Sequence, residues 1–272
     1  TSVTAFPSGT VIKWYKAGTT DVEITTGIVE TKNSSNTEAT STLTISNFTL
    51  ADEGLYFATA TNAGGTATST NGSMVVTRLL AQYLFDGNLN DNTPSGLNGT
   101  NQTPSGIVLD PIYVTGIAPA TGSALVFNGL GDSNITNTTG NYVDLPDGFS
   151  DFSQGITIAA WVYCDAVSAW QRIVEFGNGT NGGSNSIYFT RNNTTSQIRI
   201  EVDNSNPDSA DSITSGDNGF TPNEWQLLVA TINTNATDNA RIYRNGLEVA
   251  SGKITLPNVI TRTNNFIGKS EW

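Results

Sequence analysis

Residues 50–62 of the chain read LADEGLYFATATN, and this stretch decides how the first third of the sequence is interpreted. Its second half alternates, so that Tyr56, Ala58 and Ala60 share one face of a predicted strand. The sequence Asn-Ala-Gly-Gly at 62–65 favours a hairpin turn into the strand-like segment TATSTNGSMVV. The stretch therefore predicts a β-hairpin with one buried face.

Two segments upstream have the same strand character. The segment VIKWYK places Trp14 on the same face as Ile12, and the segment STLTISNFTL points Leu43 and Ile45 inward. These residues supply an apolar face on which the predicted hairpin can pack.

A strand tryptophan, then Leu-Thr-Ile, then Asp-x-Gly-x-Tyr, in this order, resembles the immunoglobulin I-set. The resemblance covers roughly residues 1–77 and implies a β-sandwich in which Tyr56 forms a tyrosine corner. The family's cysteine position holds Ala58, so packing around Trp14 has to join the two sheets. Only 13 residues precede Trp14, so the first strands of such a domain are expected to be missing. A domain of this kind is expected to serve as a spacer.

Composition places the whole chain in the all-β class. Short alternating runs rich in Thr, Val and Ile are separated by Asn, Gly, Asp and Ser clusters, and no helical period stands out.

The formal net charge of −12 repels phosphate, so neither nucleic acid nor an anionic membrane is an expected partner. No apolar run is long enough to span a membrane. A single cysteine, Cys164, excludes an intrachain disulfide and is expected to be a buried thiol. Composition and domain type favour a protein at a cell or virion surface.

Residues 78–272 form a second predicted domain. The segments LLAQYLFDGNLN, GITIAAWVYCD, TPNEWQLLVATIN and ARIYRNGLEVASG, in this order, resemble the laminin-G-like, concanavalin-A-like jelly rolls. The predicted fold class is therefore all-β, with an immunoglobulin-like sandwich followed by a jelly-roll sandwich. The resemblance implies one further strand after residue 272. Either both ends belong to a longer polypeptide, or neighbouring subunits supply the missing strands.

Little in the sequence favours catalysis. Some glycoside hydrolases of this fold carry Glu-x-Asp-x-x-Glu on one strand, and here the pattern runs from Glu201 through Asp203 to Asn206, which cannot act as a carboxylate. The absence of histidine removes the commonest general base. We therefore expect a protein that is not an enzyme.

Calcium is the one expected cofactor. The loop from Phe85 to Thr93 offers Asp86, Asn88 and Asp91, whose oxygens suit this ion, and the resembled family often holds a structural calcium near this loop. The alternative is an Asx-rich turn that satisfies its own backbone. A second oxygen-rich loop at 131–136 is a weaker candidate.

A glycan site requires an aromatic platform flanked by amides or acids. Trp161 and Trp225 match core positions of the resembled family and are expected to be buried. Trp170 follows a loop, and Tyr188 alternates opposite to Ile187, so these two are the predicted ligand contacts.

Three functional interpretations stay open at this point. The first is adhesion or carbohydrate recognition by the second domain, with a glycan or a surface protein as partner. The second is a structural subunit of a surface layer, filament or virion, which would bind copies of itself. The third is a non-catalytic appendage of a polysaccharide-degrading enzyme.

Overall fold

The computed structural model describes residues 2–5, 9–32, 39–76, 78–117, 122–129, 140–165, 168–178, 185–204, 211–234 and 237–271. The chain divides into two units, Thr1–Arg78 and Leu79–Trp272. The boundary drawn from the sequence lies one residue before this division. Within the described ranges, regular structure consists of strands and one 3-10 turn, as the all-β prediction requires. No helix in the described part of the chain is long and apolar enough to cross a membrane.

The first unit is a sandwich of two antiparallel sheets. One sheet has the order β1-β5-β4, and the other has the order β3-β2-β6-β7, with β8 also pairing β6. The elements are β1 (Ser2–Ala5), β2 (Val11–Lys16), β3 (Val22–Ile24), β4 (Ile28–Lys32), β5 (Ala39–Leu43), the 3-10 turn Leu50–Asp52, β6 (Gly54–Asn62), β7 (Gly65–Thr68) and β8 (Gly72–Met74).

Trp14 is the centre of this first core. It is 1% exposed and lies directly opposite Ala58 in the β2–β6 ladder. Its indole Nε1–H donates to Ser41 Oγ on the facing sheet at 2.9 Å, so a buried hydrogen bond joins the two sheets beside Ala58, which occupies the family's cysteine position. The Tyr56 hydroxyl donates to the Asp52 carbonyl, which is the predicted tyrosine corner.

Replacing Ser41 with alanine is expected to lower the free energy of unfolding of the first unit by about 1–3 kcal/mol, because the buried Trp14 N–H loses its acceptor. Hydrogen–deuterium exchange of the β2 and β6 amides measures this unit separately from the second. Ser46→Ala, in an exposed turn, is the matched control. Equal amide protection in the two variants would show that the hydrogen bond contributes nothing.

The second unit contains a seven-stranded sheet, a four-stranded sheet and a separate hairpin. Their orders are β17-β16-β15-β14-β21-β12-β9, β13-β18-β19-β20 and β10-β11. The strands are β9 (Thr100–Gln102), β10 (Tyr113–Thr115), β11 (Ser123–Leu125), β12 (Tyr142–Leu145), β13 (Gly155–Val162), β14 (Arg172–Gly177), β15 (Ser186–Arg191), β16 (Ile198–Asp203), β17 (Asp211–Thr214), β18 (Gln226–Asn233), β19 (Ala240–Arg244), β20 (Leu247–Gly252) and β21 (Asn264–Ile267).

The core of the second unit joins the inner faces of the two larger sheets. The seven-stranded sheet contributes Ile187, Phe189 and Ile200, and the four-stranded sheet contributes Leu228 and Ile242, all without measurable exposure. Burying each such side chain stabilises the fold by about 1.5–3 kcal/mol. Because side chains alternate along a strand, the residues between these ones point outward. The outward faces carry the functional candidates.

Candidate functional site

A row of polar side chains crosses the outward face of the seven-stranded sheet. Tyr188 lies between the core residues Ile187 and Phe189 and therefore points away from the core. In the ladders its partners are Glu175 on β14 and Glu201 on β16. Strand register thus brings two carboxylates to either side of one phenol.

Two arginines complete this charged cluster, which consists of Arg172, Glu175, Tyr188, Arg199 and Glu201. Arg172 Nε lies 2.7 Å from Glu175 Oε2, and the Arg172 guanidinium lies 4.5 Å from the centre of the Tyr188 ring. Arg199 pairs with Glu201, which also accepts a hydrogen bond from the Tyr188 hydroxyl. Each carboxylate is therefore held by a cation on the same sheet face.

Burial is the main influence on Glu201. It raises the pKa of this carboxyl to about 7, while the Arg172 charge opposes the rise and the Asp203 and Glu175 charges add to it. Near neutral pH, Glu201 is accordingly close to its midpoint of protonation. Of the Glu-x-Asp-x-x-Asn pattern, Glu201 and Asp203 are buried on β16, and Asn206 lies outside the described residues.

The segment after β21 folds over part of this face. The Glu271 backbone N–H donates to Glu175 Oε1 at 2.9 Å. The Glu271 carboxylate accepts hydrogen bonds from the Ser186 hydroxyl and from Asn264 Nδ2. Glu175 is thus held from two sides, by Arg172 and by Glu271, an arrangement typical of a carboxylate that supports structure.

Trp170 lies two residues before the first residue of β14, Arg172, which belongs to the charged cluster. Its side chain is 43% exposed, and its φ of +55° is in the left-handed region, which a bulky residue rarely adopts. The Trp170 N–H donates to the Asn193 carbonyl at 3.3 Å, and the Trp170 carbonyl accepts from Arg172 at 3.2 Å. The turn after β15 and the first residue of β14 therefore hold the backbone that carries the exposed indole.

Tyr188 differs from Trp170 in exposure. The alternation predicted correctly that it points away from the core, but its side chain is only 5% exposed beneath the Arg172 guanidinium. Its ring has no open face for a ligand. Tyr188 instead supports Arg172, which in turn holds Trp170.

Polar side chains are linked by hydrogen bonds in the turns at this end of the sheet. Asn192 Nδ2 donates to Gln197 Oε1 at 2.7 Å, and Gln197 Nε2 donates to Asp217 Oδ1 at 2.9 Å. We call Trp170, Asn192, Asn193, Gln197 and Asp217 the Trp170 rim. The sequence analysis missed these four polar residues, although the Asn-Asn-Thr-Thr turn at 192–195 was a visible signal.

Gln171 and Cys164 lie immediately behind the rim. Gln171 Oε1 accepts from Arg191 at 2.7 Å and from the Cys164 thiol at 3.5 Å. Cys164 is half-buried rather than fully buried. This position gives the thiol a structural contact close to Trp170.

The two tryptophans that were expected in the core lie elsewhere. Trp161 is 51% exposed on the outward face of the four-stranded sheet, because Ile156, Ile158 and Val162 take the inward positions of β13. Trp225 is half-buried and packs against Tyr163 on the same side. The expectation of burial was therefore wrong for Trp161 and holds only in part for Trp225.

The three predicted calcium ligands make separate local contacts. Asp86 Oδ1 accepts from the Ser123 N–H at 2.7 Å, and Asn88 Oδ1 accepts from the Asn90 N–H at 2.9 Å. Asp91 accepts four hydrogen bonds at 2.8–3.0 Å, from the N–H groups of Gln82, Thr93 and Leu97 and from the Thr93 hydroxyl.

This geometry fits an Asx turn better than a metal site. Within the described residues, no group of three or more acidic or thiol side chains is arranged to hold a metal ion. The loop at 131–136 lies outside those residues. Calcium binding at Asp86, Asn88 and Asp91 stays a prediction. If it is correct, a calcium chelator should lower the melting temperature of the protein.

Asp91→Asn is expected to destabilise the second unit by about 1–3 kcal/mol, because an amide NH₂ cannot accept from the Leu97 N–H. Burial raises the pKa of Asp91, but its four donors outweigh burial, and the pKa is lowered. The stabilisation is therefore present above the unfolded-state pKa and is lost as pH falls through the folded-state pKa. Urea unfolding of both proteins at pH 7 and pH 3 should show the difference shrinking in acid. A difference that is independent of pH would contradict this role.

The comparisons with known proteins concern both units. Residues 137–272 match the laminin G family model described as "Concanavalin A-like lectin/glucanases superfamily". Residues 2–70 match the model described as "Immunoglobulin domain". No curated protein matches the chain.

One similar solved chain comes from work on the cell entry of botulinum neurotoxin type C, described as dependent upon interaction with two ganglioside molecules. The sequence identity is 13% and the TM-score is 0.46, over 70% of this chain and 42% of that chain. A likeness at this level carries no argument about a ligand.

Proposed function

Because the chain belongs to the concanavalin A-like lectin/glucanase superfamily through residues 137–272, we propose that its second unit is a non-catalytic carbohydrate-recognition module that binds a glycan at the Trp170 rim. The immunoglobulin-like unit acts as a spacer, and the whole protein works in adhesion at a cell or virion surface. The fold alone does not select this function, since superfolds host many functions.

The observation that carries the proposal is the conformation of Trp170. A bulky residue at a φ of +55° is held in an unfavourable region, and such strain concentrates at ligand sites. The Trp170 N–H donates to the Asn193 carbonyl and Arg172 donates to the Trp170 carbonyl, so hydrogen bonds hold the backbone of a residue that is 43% exposed. A fixed aromatic face gives contact area with little loss of side-chain entropy on binding.

The neighbouring side chains supply the polar half of a sugar site. Asn192, Gln197 and Asp217 are linked by hydrogen bonds at the same end of the sheet as Trp170, and the Asn193 carbonyl accepts from the Trp170 N–H. Their amide and carboxylate groups are the donors and acceptors proposed for the sugar, since a few well-placed polar groups fix the orientation of a small ligand. The chain's net charge of −12 disfavours sulfated or sialylated glycans. The expected ligand is a glycan without acidic groups.

Trp170→Ala is expected to weaken glycan binding at least about tenfold, which corresponds to about 1.4 kcal/mol. A glycan array identifies the ligand, and titration calorimetry with the strongest soluble oligosaccharide measures its affinity for each variant. Val108→Ala removes another exposed apolar side chain and should leave the affinity unchanged. An array without a reproducible ligand, or equal affinities for the wild type and Trp170→Ala, would contradict the proposal.

A further inference from the structure

The outward face of the four-stranded sheet carries an aromatic surface that the Trp170 rim does not include. It consists of Trp161 in β13 and Leu227 in β18, together with Tyr163, which follows β13, and Trp225, which precedes β18, and we call it the aromatic face. Trp161 lies opposite Leu227 in the ladder. The ring centres of Tyr163 and Trp225 are 5.6 Å apart at an interplanar angle of 53°.

Exposure of this size is unusual for such residues. Trp161 is 51% exposed and Tyr163 is 47% exposed, although each could contribute a large apolar area to a core. Clustered exposed aromatics mark contact sites, whereas single ones need no explanation. The Trp161 position is therefore better explained by a ligand than by folding.

The strands hold this surface rigid. β13 and β18 pair continuously over eight residues, from Gly155–Asn233 to Val162–Gln226. Side chains on one sheet face stand in a nearly flat layer. A flat and preordered surface binds without the entropic cost of ordering loops.

The charge of the aromatic face indicates which kind of ligand it can bind. The cross-strand pairs on this face are uncharged: Thr157–Thr231, Ala159–Val229 and Trp161–Leu227. On the neighbouring strands, Arg241 and Glu248 form an ion pair at 2.8 Å, and Arg244 pairs with Glu224, so each of these charges has an opposite partner. A second copy of the chain would bring another net charge of −12, which disfavours self-association.

From this surface we infer a second binding site, in which the aromatic face takes an uncharged polysaccharide lying flat across β13 and β18. The C–H faces of the sugar rings would pack on Trp161, Tyr163 and Trp225, with Thr157 and Thr231 at the polar margin. The site lies on the other sheet from the Trp170 rim and does not depend on it. It suits an extended, insoluble chain, whereas the Trp170 rim suits a soluble oligosaccharide.

Co-sedimentation of the full chain with microcrystalline cellulose and with chitin tests this inference. Wild-type protein is expected to pellet with at least one of the two, and Trp161→Ala and Trp225→Ala are each expected to lower the affinity at least tenfold. Val108→Ala is the matched control, because it removes an exposed apolar side chain outside both sites and should pellet like the wild type. Thermal unfolding of each variant verifies that the fold is intact.

Three results would overturn the inference. The first is wild-type protein that stays in the supernatant with both polysaccharides. The second is Trp161→Ala protein that pellets as well as the wild type. The third is a wild-type dimer, seen by light scattering, that dissociates in Trp161→Ala, because the aromatic face would then be an interface between two copies of the chain. Loss of soluble-glycan binding in Trp170→Ala without loss of pelleting would show that the two sites fail or succeed separately.

Discussion

Replacing Glu175 with alanine is expected to destabilise the second unit by about 3–5 kcal/mol, because a buried charge is left without its partner. The side chains of Arg172 and Glu175 are 6% and 0% exposed, so water cannot take over the role of the lost carboxylate. Urea unfolding followed by tryptophan fluorescence measures the loss. Glu224→Ala is the matched control, because its pair with Arg244 has a carboxylate that is 47% exposed. An exposed pair of this kind contributes about 0–1 kcal/mol.

The same ion pair separates stability from binding. Arg172→Met combined with Glu175→Leu removes both charges and is expected to restore most of the stability, since apolar pairs often replace buried ion pairs at little cost. The double variant still lacks the Arg172 donor to the Trp170 carbonyl. Its glycan affinity should therefore stay reduced while its unfolding midpoint recovers. Equal effects of Glu175→Ala and Glu224→Ala on unfolding would contradict the structural role of the pair.

Glu201→Gln is expected to change how the stability of the second unit depends on pH. Burial raises the pKa of Glu201 to about 7. The native state then binds more protons than the unfolded state between about pH 4.5 and 7, and the stability contributed by this group falls as pH rises through that window. A shift of this size corresponds to about 3 kcal/mol. The stability of the variant relative to the wild type should rise by this amount between pH 4.5 and pH 8.

Urea unfolding of the wild type and Glu201→Gln across that pH range is the measurement. The two proteins differ in free energy of unfolding at every pH, because the variant also removes the ion partner of Arg199. The slope of the difference against pH is therefore the quantity to compare, with Glu224→Gln as the control for loss of an exposed carboxylate. A difference that does not vary with pH would show that folding does not raise the pKa of Glu201.

The fold could be predicted because its signals are local. The Asp-x-Gly-x-Tyr stretch, with Trp14 before it, predicted a cystine-free immunoglobulin-like sandwich, and the family match at 2–70 confirms it. The ordered strand segments of the second unit predicted the jelly roll, and the match at 137–272 confirms that as well. Both predictions rest on alternation within single strands and on turn residues between them.

The burial of Trp161 was predicted from the core positions of the resembled family, and this prediction was wrong. In the sequence GITIAAWV, one phase of the alternation carries Ile156, Ile158 and Val162 and the other carries Trp161 with Thr157 and Ala159, so the alternation itself favours the observed orientation. In the structure, Ile156, Ile158 and Val162 face the core and Trp161 is exposed on the outward face.

The burial of Tyr188 and the hydrogen bonds of Asp91 could not be predicted, because both depend on contacts between segments that are distant in the sequence. The burial of Tyr188 depends on Arg172, which comes from a different strand. The hydrogen bonds of Asp91 depend on Gln82 and Leu97, which lie outside the predicted loop. Composition and spacing carry no information about such contacts.

A crystal structure of the full chain with its strongest array oligosaccharide tests glycan recognition at the Trp170 rim most directly. The account predicts a sugar ring packed on the Trp170 indole, with its hydroxyl groups hydrogen-bonded to rim side chains such as Asn193 and Asp217. A soluble oligosaccharide bound to the immunoglobulin-like unit, or to the aromatic face with the Trp170 rim free of sugar, would contradict it.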